Sequence, residues 1–103
     1  MKKTFLLLTF FLFITNVKAI NNITINNNQI IPEFNKSVKT YNAFVNDETE
    51  IITINAEIEE NEEVTNLGSK SLKWGLNTFV ITSYINNEIN TSYTLNVTRG
   101  SSV

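Results

Sequence analysis

Beyond residue 20 the chain alternates apolar and polar side chains with a period of two, a pattern that points to stacked β-sheets. Ile23 and Ile25 flank Thr24; Tyr41, Ala43 and Val45 alternate with Asn42 and Phe44; Ile52, Ile54 and Ala56 alternate with Thr53 and Asn55. Farther on, Phe79, Ile81 and Ser83 interleave with Val80 and Thr82, and Tyr93, Leu95 and Val97 with Thr94, Asn96 and Thr98. Successive side chains of a strand point to opposite faces, so each run has one face to bury. No window offers apolar residues at helical spacing with caps. Glu57 to Glu63 has the charge of an exposed helix but no apolar stripe, and it reads as an acidic edge or loop.

Turn residues punctuate these runs: Asn26-Asn27-Asn28, Pro32, Asn46-Asp47, Glu59 to Glu62, Asn66-Leu67-Gly68, Gly75 and Asn86-Asn87. Between them the pattern predicts about seven strands, at 22-26, 38-46, 50-57, 63-66, 70-74, 77-85 and 90-98, the spacing of an antiparallel sandwich. Asn86-Asn87, between two long alternating runs, predicts a hairpin joining the last two strands. Gly75 and Asn77 are expected to build the turn entering the strand at 77-85, because Gly tolerates a positive φ and Asn bonds to nearby backbone.

The amino end has a different character. Met1-Lys2-Lys3 is a short basic start, Phe5 to Ile14 is an almost unbroken apolar run, and Val17-Lys18-Ala19 ends on a small side chain. These are the parts of a secretory signal peptide, and the run falls well short of the roughly 20 apolar residues of a membrane span. Residues 1-19 are therefore expected to be a cleavable signal-peptide helix, residues 20-99 the sandwich domain and residues 100-103 a short tail. The expected location is secreted or at the cell surface.

Export without the signal leaves five basic against ten acidic side chains. That balance argues against nucleic acid and against anionic membrane surfaces, since both require basic patches. No membrane contact is expected beyond the signal peptide. The chain has no cysteine, which excludes both a cystine scaffold and a lipid-modified cysteine. A domain of this length buries only about 60 to 65% of the surface its unfolded form exposes, so its stability must come from well-patterned apolar strands.

Several residues then fall into a recognisable order: Ile23-x-Ile25, Ile30-Ile31-Pro32-Glu33-Phe34, Tyr41-x-Ala43-x-Val45, Ile52-x-Ile54-x-Ala56, Leu72-x-Trp74-Gly75-x-Asn77 and Tyr93-x-Leu95-x-Val97-x-Arg99. Together they resemble the bacterial cadherin-like β-sandwich module over nearly all of residues 20 to 99, with Ile30 where that family's first turn carries Leu. The resemblance implies an immunoglobulin-like sandwich, used without catalysis as a module of bacterial surface or secreted proteins, often beside carbohydrate-active or adhesive domains. That family usually appears as one module among several, whereas here the module follows a signal peptide alone.

Catalytic parts are scarce. With no His, no Cys and Asp47 as the sole aspartate, Ser-His-Asp and Cys-His arrangements cannot be built. Glu57 with Glu88 could pair for glycoside hydrolysis only within a sugar-holding cleft, and Ser69-Lys70-Ser71 lies in an expected turn. No enzyme activity and no cofactor are expected. Glu57, Glu59, Glu60, Glu62 and Glu63 carry oxygen enough for calcium, yet calcium loops mix Asp, Asn and Gly, and a solvated edge that discourages aggregation is the better reading. The sequons at Asn22, Asn35, Asn90 and Asn96 are what chance gives in an Asn- and Thr-rich chain.

For ligand binding, Trp74 and Tyr84 are the candidates, with Tyr93 a further member of a sugar-stacking row. Trp74, at the second apolar position before Gly75, is expected to be packed, and Tyr41 and Tyr93 are expected to cover the sandwich ends. The expected function is a non-catalytic extracellular or cell-surface module for binding, adhesion or spacing, or alternatively a carbohydrate-binding accessory domain. Its expected partner is an extracellular protein or a glycan.

Overall fold

A computed structural model describes residues 20–100. The expected signal-peptide helix and nearly all of the expected tail lie outside them. The described chain is all-β and forms a sandwich of two four-stranded sheets. Its eight strands are β1 (Asn22–Ile25), β2 (Asn28–Gln29), β3 (Thr40–Val45), β4 (Ile51–Glu57), β5 (Glu62–Val64), β6 (Gly68–Ser71), β7 (Gly75–Ile85) and β8 (Glu88–Arg99). One sheet has the order β2-β1-β4-β6 and the other β3-β8-β7-β5. No helix of the described residues is long and apolar enough to cross a membrane.

The longer strands bury the face their alternation marks. Ile23 and Ile25 of β1 and Ile52 and Ile54 of β4 meet Tyr41 of β3, Ile81 of β7, and Tyr93, Leu95 and Val97 of β8 in one core. Ile20, Ile30 and Leu72 complete it from outside the strands. On the opposite face of the β3-β8-β7 layer, register aligns Phe44 with Thr98 and Leu76, then Asn42 with Asn96 and Thr78, then Thr40 with Thr94 and Val80.

Two hairpins follow from asparagine pairs. Asn26 and Asn27 join β1 to β2 with φ of 53° and 65°, and Asn86 and Asn87 join β7 to β8 with φ of 55° and 66°. Both pairs occupy the left-handed region that a two-residue type I′ turn requires, and Asn tolerates it better than other residues with a β-carbon. The expected hairpin at Asn86-Asn87 is thus present. The β7–β8 register slips between Ser83 and Tyr84, where Asn90 is the extra residue of a bulge.

Two expectations need correction. The sandwich has eight strands, because the two-residue β2 is too short to show an alternation. It is also not wholly antiparallel: β3 runs parallel to β8, with Tyr41 opposite Leu95 and Ala43 opposite Val97. A parallel pair needs a long connection, which β4 to β7 supply between β3 and β8, and the stretch from Ile30 to Lys39 carries the chain from one sheet to the other before β3. Its outer edge is partly closed by Ile31, which exchanges backbone hydrogen bonds of 2.8 and 2.6 Å with Asn42.

Tyr41 and Tyr93 are both fully buried. Their rings pack with Phe34 at centroid separations of 5.5 Å for Phe34–Tyr41, 5.2 Å for Phe34–Tyr93 and 6.2 Å for Tyr41–Tyr93. The Tyr41 hydroxyl donates to the Asn35 carbonyl at 2.6 Å and accepts from the Asn35 N–H at 3.0 Å. Replacing Tyr41 by Phe leaves the Asn35 N–H without its partner and takes one of two donors from the Asn35 carbonyl, which keeps the Val38 N–H at 2.8 Å. The expected loss is about 1–3 kcal/mol of unfolding free energy, read from urea denaturation as a lower midpoint at unchanged m-value.

Candidate functional site

Trp74 is where the structure and the sequence disagree most. Instead of packing inward, it is 63% exposed. The cause is local. Gly75, the first residue of β7, takes a φ of 82°, so the alternation running through Leu72 is broken where β7 begins.

The short segment Lys73-Trp74-Gly75 is held by one side chain. Asn77, buried at the start of β7, accepts from the Lys73 N–H at 3.0 Å through its Oδ1. Its Nδ2 shares its two hydrogens among the Lys73 carbonyl at 3.0 Å, the Gly75 carbonyl at 3.1 Å and the Val97 carbonyl at 3.3 Å. Gly75 and Asn77 therefore form the expected turn, with the carboxamide acting as a clamp on the backbone either side of Trp74.

Arg99, at the end of β8, lies over the indole with its guanidinium carbon 4.3 Å from the ring centroid. Its nitrogens donate to the Asp47 carbonyl at 3.1 and 2.9 Å and to the Leu72 carbonyl at 3.0 Å, so the cation is anchored between two carbonyls. An exposed cation–π contact is worth about 0.5–1 kcal/mol, and here it serves chiefly to fix the ring's orientation. Gly100 lies alongside: a β-carbon there would stand 3.1 Å from the indole Cε3. With the guanidinium on one side and most of the ring still exposed, the rest of the indole surface is turned to water.

Tyr84 stands elsewhere. It is half-buried near the far end of β7, opposite Ile89 and Glu63, and borders a shallow depression of about 310 Å³ with Glu60, Glu62 and Asn86. Ten residues of strand separate it from Trp74, about 33 Å at the rise of an extended chain. Tyr93 is buried between the sheets. The three candidate aromatics therefore do not form a row.

The acidic segment is not uniformly solvated. Glu57 ends β4 and is exposed, but Glu62 is buried on the inward face of β5. Its Oε2 accepts a short hydrogen bond from the Ser83 hydroxyl, and its Oε1 accepts from the Glu59 N–H at 2.9 Å. Among the described residues, no group of three or more Asp or Glu side chains is arranged to hold a metal. Glu57 and Glu88 belong to different sheets. Ser69, Lys70 and Ser71 form β6 rather than a turn, and Lys70 donates to Asn66 Oδ1 at 2.7 Å.

Comparison with protein-family models, with curated proteins and with solved structures returns no match to this chain.

Burial pushes the Tyr93 hydroxyl above its ordinary value of 10.0; the nearby Tyr41 and Glu62 push the same way and a hydrogen bond with Thr91 opposes them. Below that value both folded and unfolded chains keep Tyr93 neutral, and stability does not depend on it. Above it the unfolded chain ionises first, so the folded state loses stability as pH rises. The melting temperature should therefore fall less steeply above pH ~10 in Tyr93→Phe than in the unaltered chain; equal slopes would show that this hydroxyl does not contribute. Because Trp74 is the sole tryptophan, its fluorescence reports the site directly. Acrylamide should quench it nearly as well as free tryptophan, and Arg99→Ala should raise the quenching constant further.

Proposed function

We propose that the chain is a non-catalytic extracellular module, exported by its amino-terminal signal and used at or near the cell surface for binding or spacing. The observation that carries this reading is Trp74, a large aromatic surface fixed by Asn77 and Arg99 yet left open to water. A side chain that contributes little to the core but is held in one orientation is suited to meeting a partner, since preorganised anchors lose little entropy on binding.

Other features support it. The interior between the sheets is filled by Ile, Leu, Val and Tyr side chains, and the sequence supplies neither His nor Cys for nucleophilic chemistry. The two-sheet architecture supports the finer reading of an immunoglobulin-like, cadherin-like module. So does Tyr41, whose hydroxyl folds back on backbone a few residues upstream, a device found in immunoglobulin-type sandwiches, although there it belongs to a late strand and here to β3. The alternative of a carbohydrate-binding accessory domain is favoured by the same exposed indole.

The test uses the chain from Ile20 to Val103, which contains the complete two-sheet core. Incubated with bacterial cell-wall material, purified glycans and host surface extracts, it should be depleted from solution by at least one. Retention by none of them rules out a binding role and leaves only a spacer.

A further inference from the structure

We infer that Trp74 and the uncharged outer face of the β3-β8-β7 layer form one binding platform for a neutral, pyranose-based glycan. This rests on the reading of the chain as a binding module and names its ligand.

The platform has two parts. The first is the indole itself. A pyranose ring presents a face of C–H groups, and such a face stacks on an aromatic ring with its partial positive charge against the π-electron cloud. The ring must be open, oriented and flanked by hydrogen-bonding groups. Trp74 is open at 63% exposure, oriented by Arg99 and the Asn77 clamp, and close to the Asn46-Asp47-Glu48 loop through the Arg99 bonds to the Asp47 carbonyl. Asp47 and Glu48 are exposed, and their carboxylates can accept from sugar hydroxyls.

The second part begins two residues farther along the chain than Trp74. Leu76 opens the row Leu76–Thr98–Phe44, with Leu76 56% and Phe44 69% exposed, and the row Thr78–Asn96–Asn42 follows. Rows recur about 6.8 Å apart along strands about 4.8 Å apart, giving a flat field of methyl, hydroxyl and carboxamide groups. The Thr78 hydroxyl donates to Asn96 Oδ1 at 2.8 Å, which leaves the Asn96 Nδ2 hydrogens for an acceptor on a ligand. No charged side chain stands in either row, nor in the next one, Thr40–Thr94–Val80.

Charge selects among occupants. Residues 20–100 hold ten acidic and five basic side chains, and Asp47, Glu48 and Glu50 lie in the loop beside the indole. Lys73 and Arg99 offset two of these three charges at the ring, so an anionic polysaccharide is disfavoured chiefly by the excess of acidic over basic side chains on the domain as a whole, as is a second copy of it. A neutral glycan desolvates no charge on the uncharged rows and offers both the apolar face for Trp74 and hydroxyls for Thr and Asn.

The test is depletion of the chain Ile20–Val103 from solution by insoluble β-glucan, mannan and chitin, with polygalacturonate as an anionic control. Trp74 emission is followed during titration with soluble oligosaccharides of whichever polymer binds. The expected result is retention by at least one neutral polymer and not by polygalacturonate, a saturable change in emission, and at least tenfold weaker binding by Trp74→Ala. Tyr84→Ala, at the other end of β7, should bind as the unaltered chain does. A melting curve for Trp74→Ala close to that of the unaltered chain separates a lost contact from a lost fold. Undiminished binding by Trp74→Ala, or retention by none of the three neutral polymers, overturns the platform. In that second case, retention by cell-wall or host surface extracts leaves the binding module standing with a different ligand, and retention by nothing overturns both.

Discussion

The packing of Tyr41 and Tyr93 against Phe34 is the contact on which this sandwich most depends. The chain leaves one sheet after Gln29 and enters the other at Thr40, and the three rings fasten that crossing. Tyr41 binds the Asn35 backbone, the Tyr93 hydroxyl donates to the Lys36 carbonyl at 3.3 Å, and Lys39 Nζ lies 4.8 Å from the Tyr93 ring centroid. A chain with no disulfide must hold such a crossing by burial and hydrogen bonding alone. Aromatic side chains suit this because each removes a large apolar area from water while its hydroxyl satisfies backbone that the loop would otherwise leave unpaired. β3 reaches β8, its parallel neighbour, only after this crossing.

The second set of constraints is polar and buried. Asn77 satisfies four backbone groups at the start of β7, and Glu62 takes the Ser83 hydroxyl and the Glu59 N–H at the end of the same strand. At the surface, Asn66, with a φ of 71°, donates to the Val80 carbonyl at 3.1 Å and links the β5–β6 connection to β7, whereas Asn77 and Glu62 are buried. Such groups cost desolvation, and they are tolerated because nearly every donor and acceptor has a partner. Their effect is positional. At Asn77, the partners are the backbone groups on either side of Trp74, so the orientation of an exposed side chain is set from inside the fold.

The sheet faces were legible in the sequence because a period of two states directly which side chains share a side. The strands at 50-57 and 77-85 agree with β4 and β7 to within two residues for this reason. Periodicity does not state which strand lies next to which, or in what direction, so the parallel partner of β3 could not be read. Glu62 was missed although its parity was visible: it is two residues from Val64 and therefore on the same face of β5. Charge outweighed parity in that reading, and the bonds from Ser83 and Glu59 are tertiary facts. Trp74 was misjudged for the opposite reason. Alternation was carried through Leu72 into Trp74, whereas Gly75 turns the backbone at that point; Gly75 itself was the available signal.

The separation between what folds this chain and what it presents to its surroundings follows from those two misreadings. Side chains obeying the alternation are engaged in the core, where a change of shape costs stability. Trp74 and Phe44 lie outside that constraint, one because β7 opens on a left-handed glycine just after it and the other because it faces outward on an edge strand. Their identities can vary with little effect on the fold, while Asn77, Arg99 and the register of β7 on β8 keep whatever occupies position 74 in one place. A surface of that kind lets ligand preference change without rebuilding the sandwich, because the anchoring contacts lie in backbone carbonyls and in one buried carboxamide rather than in the exposed ring.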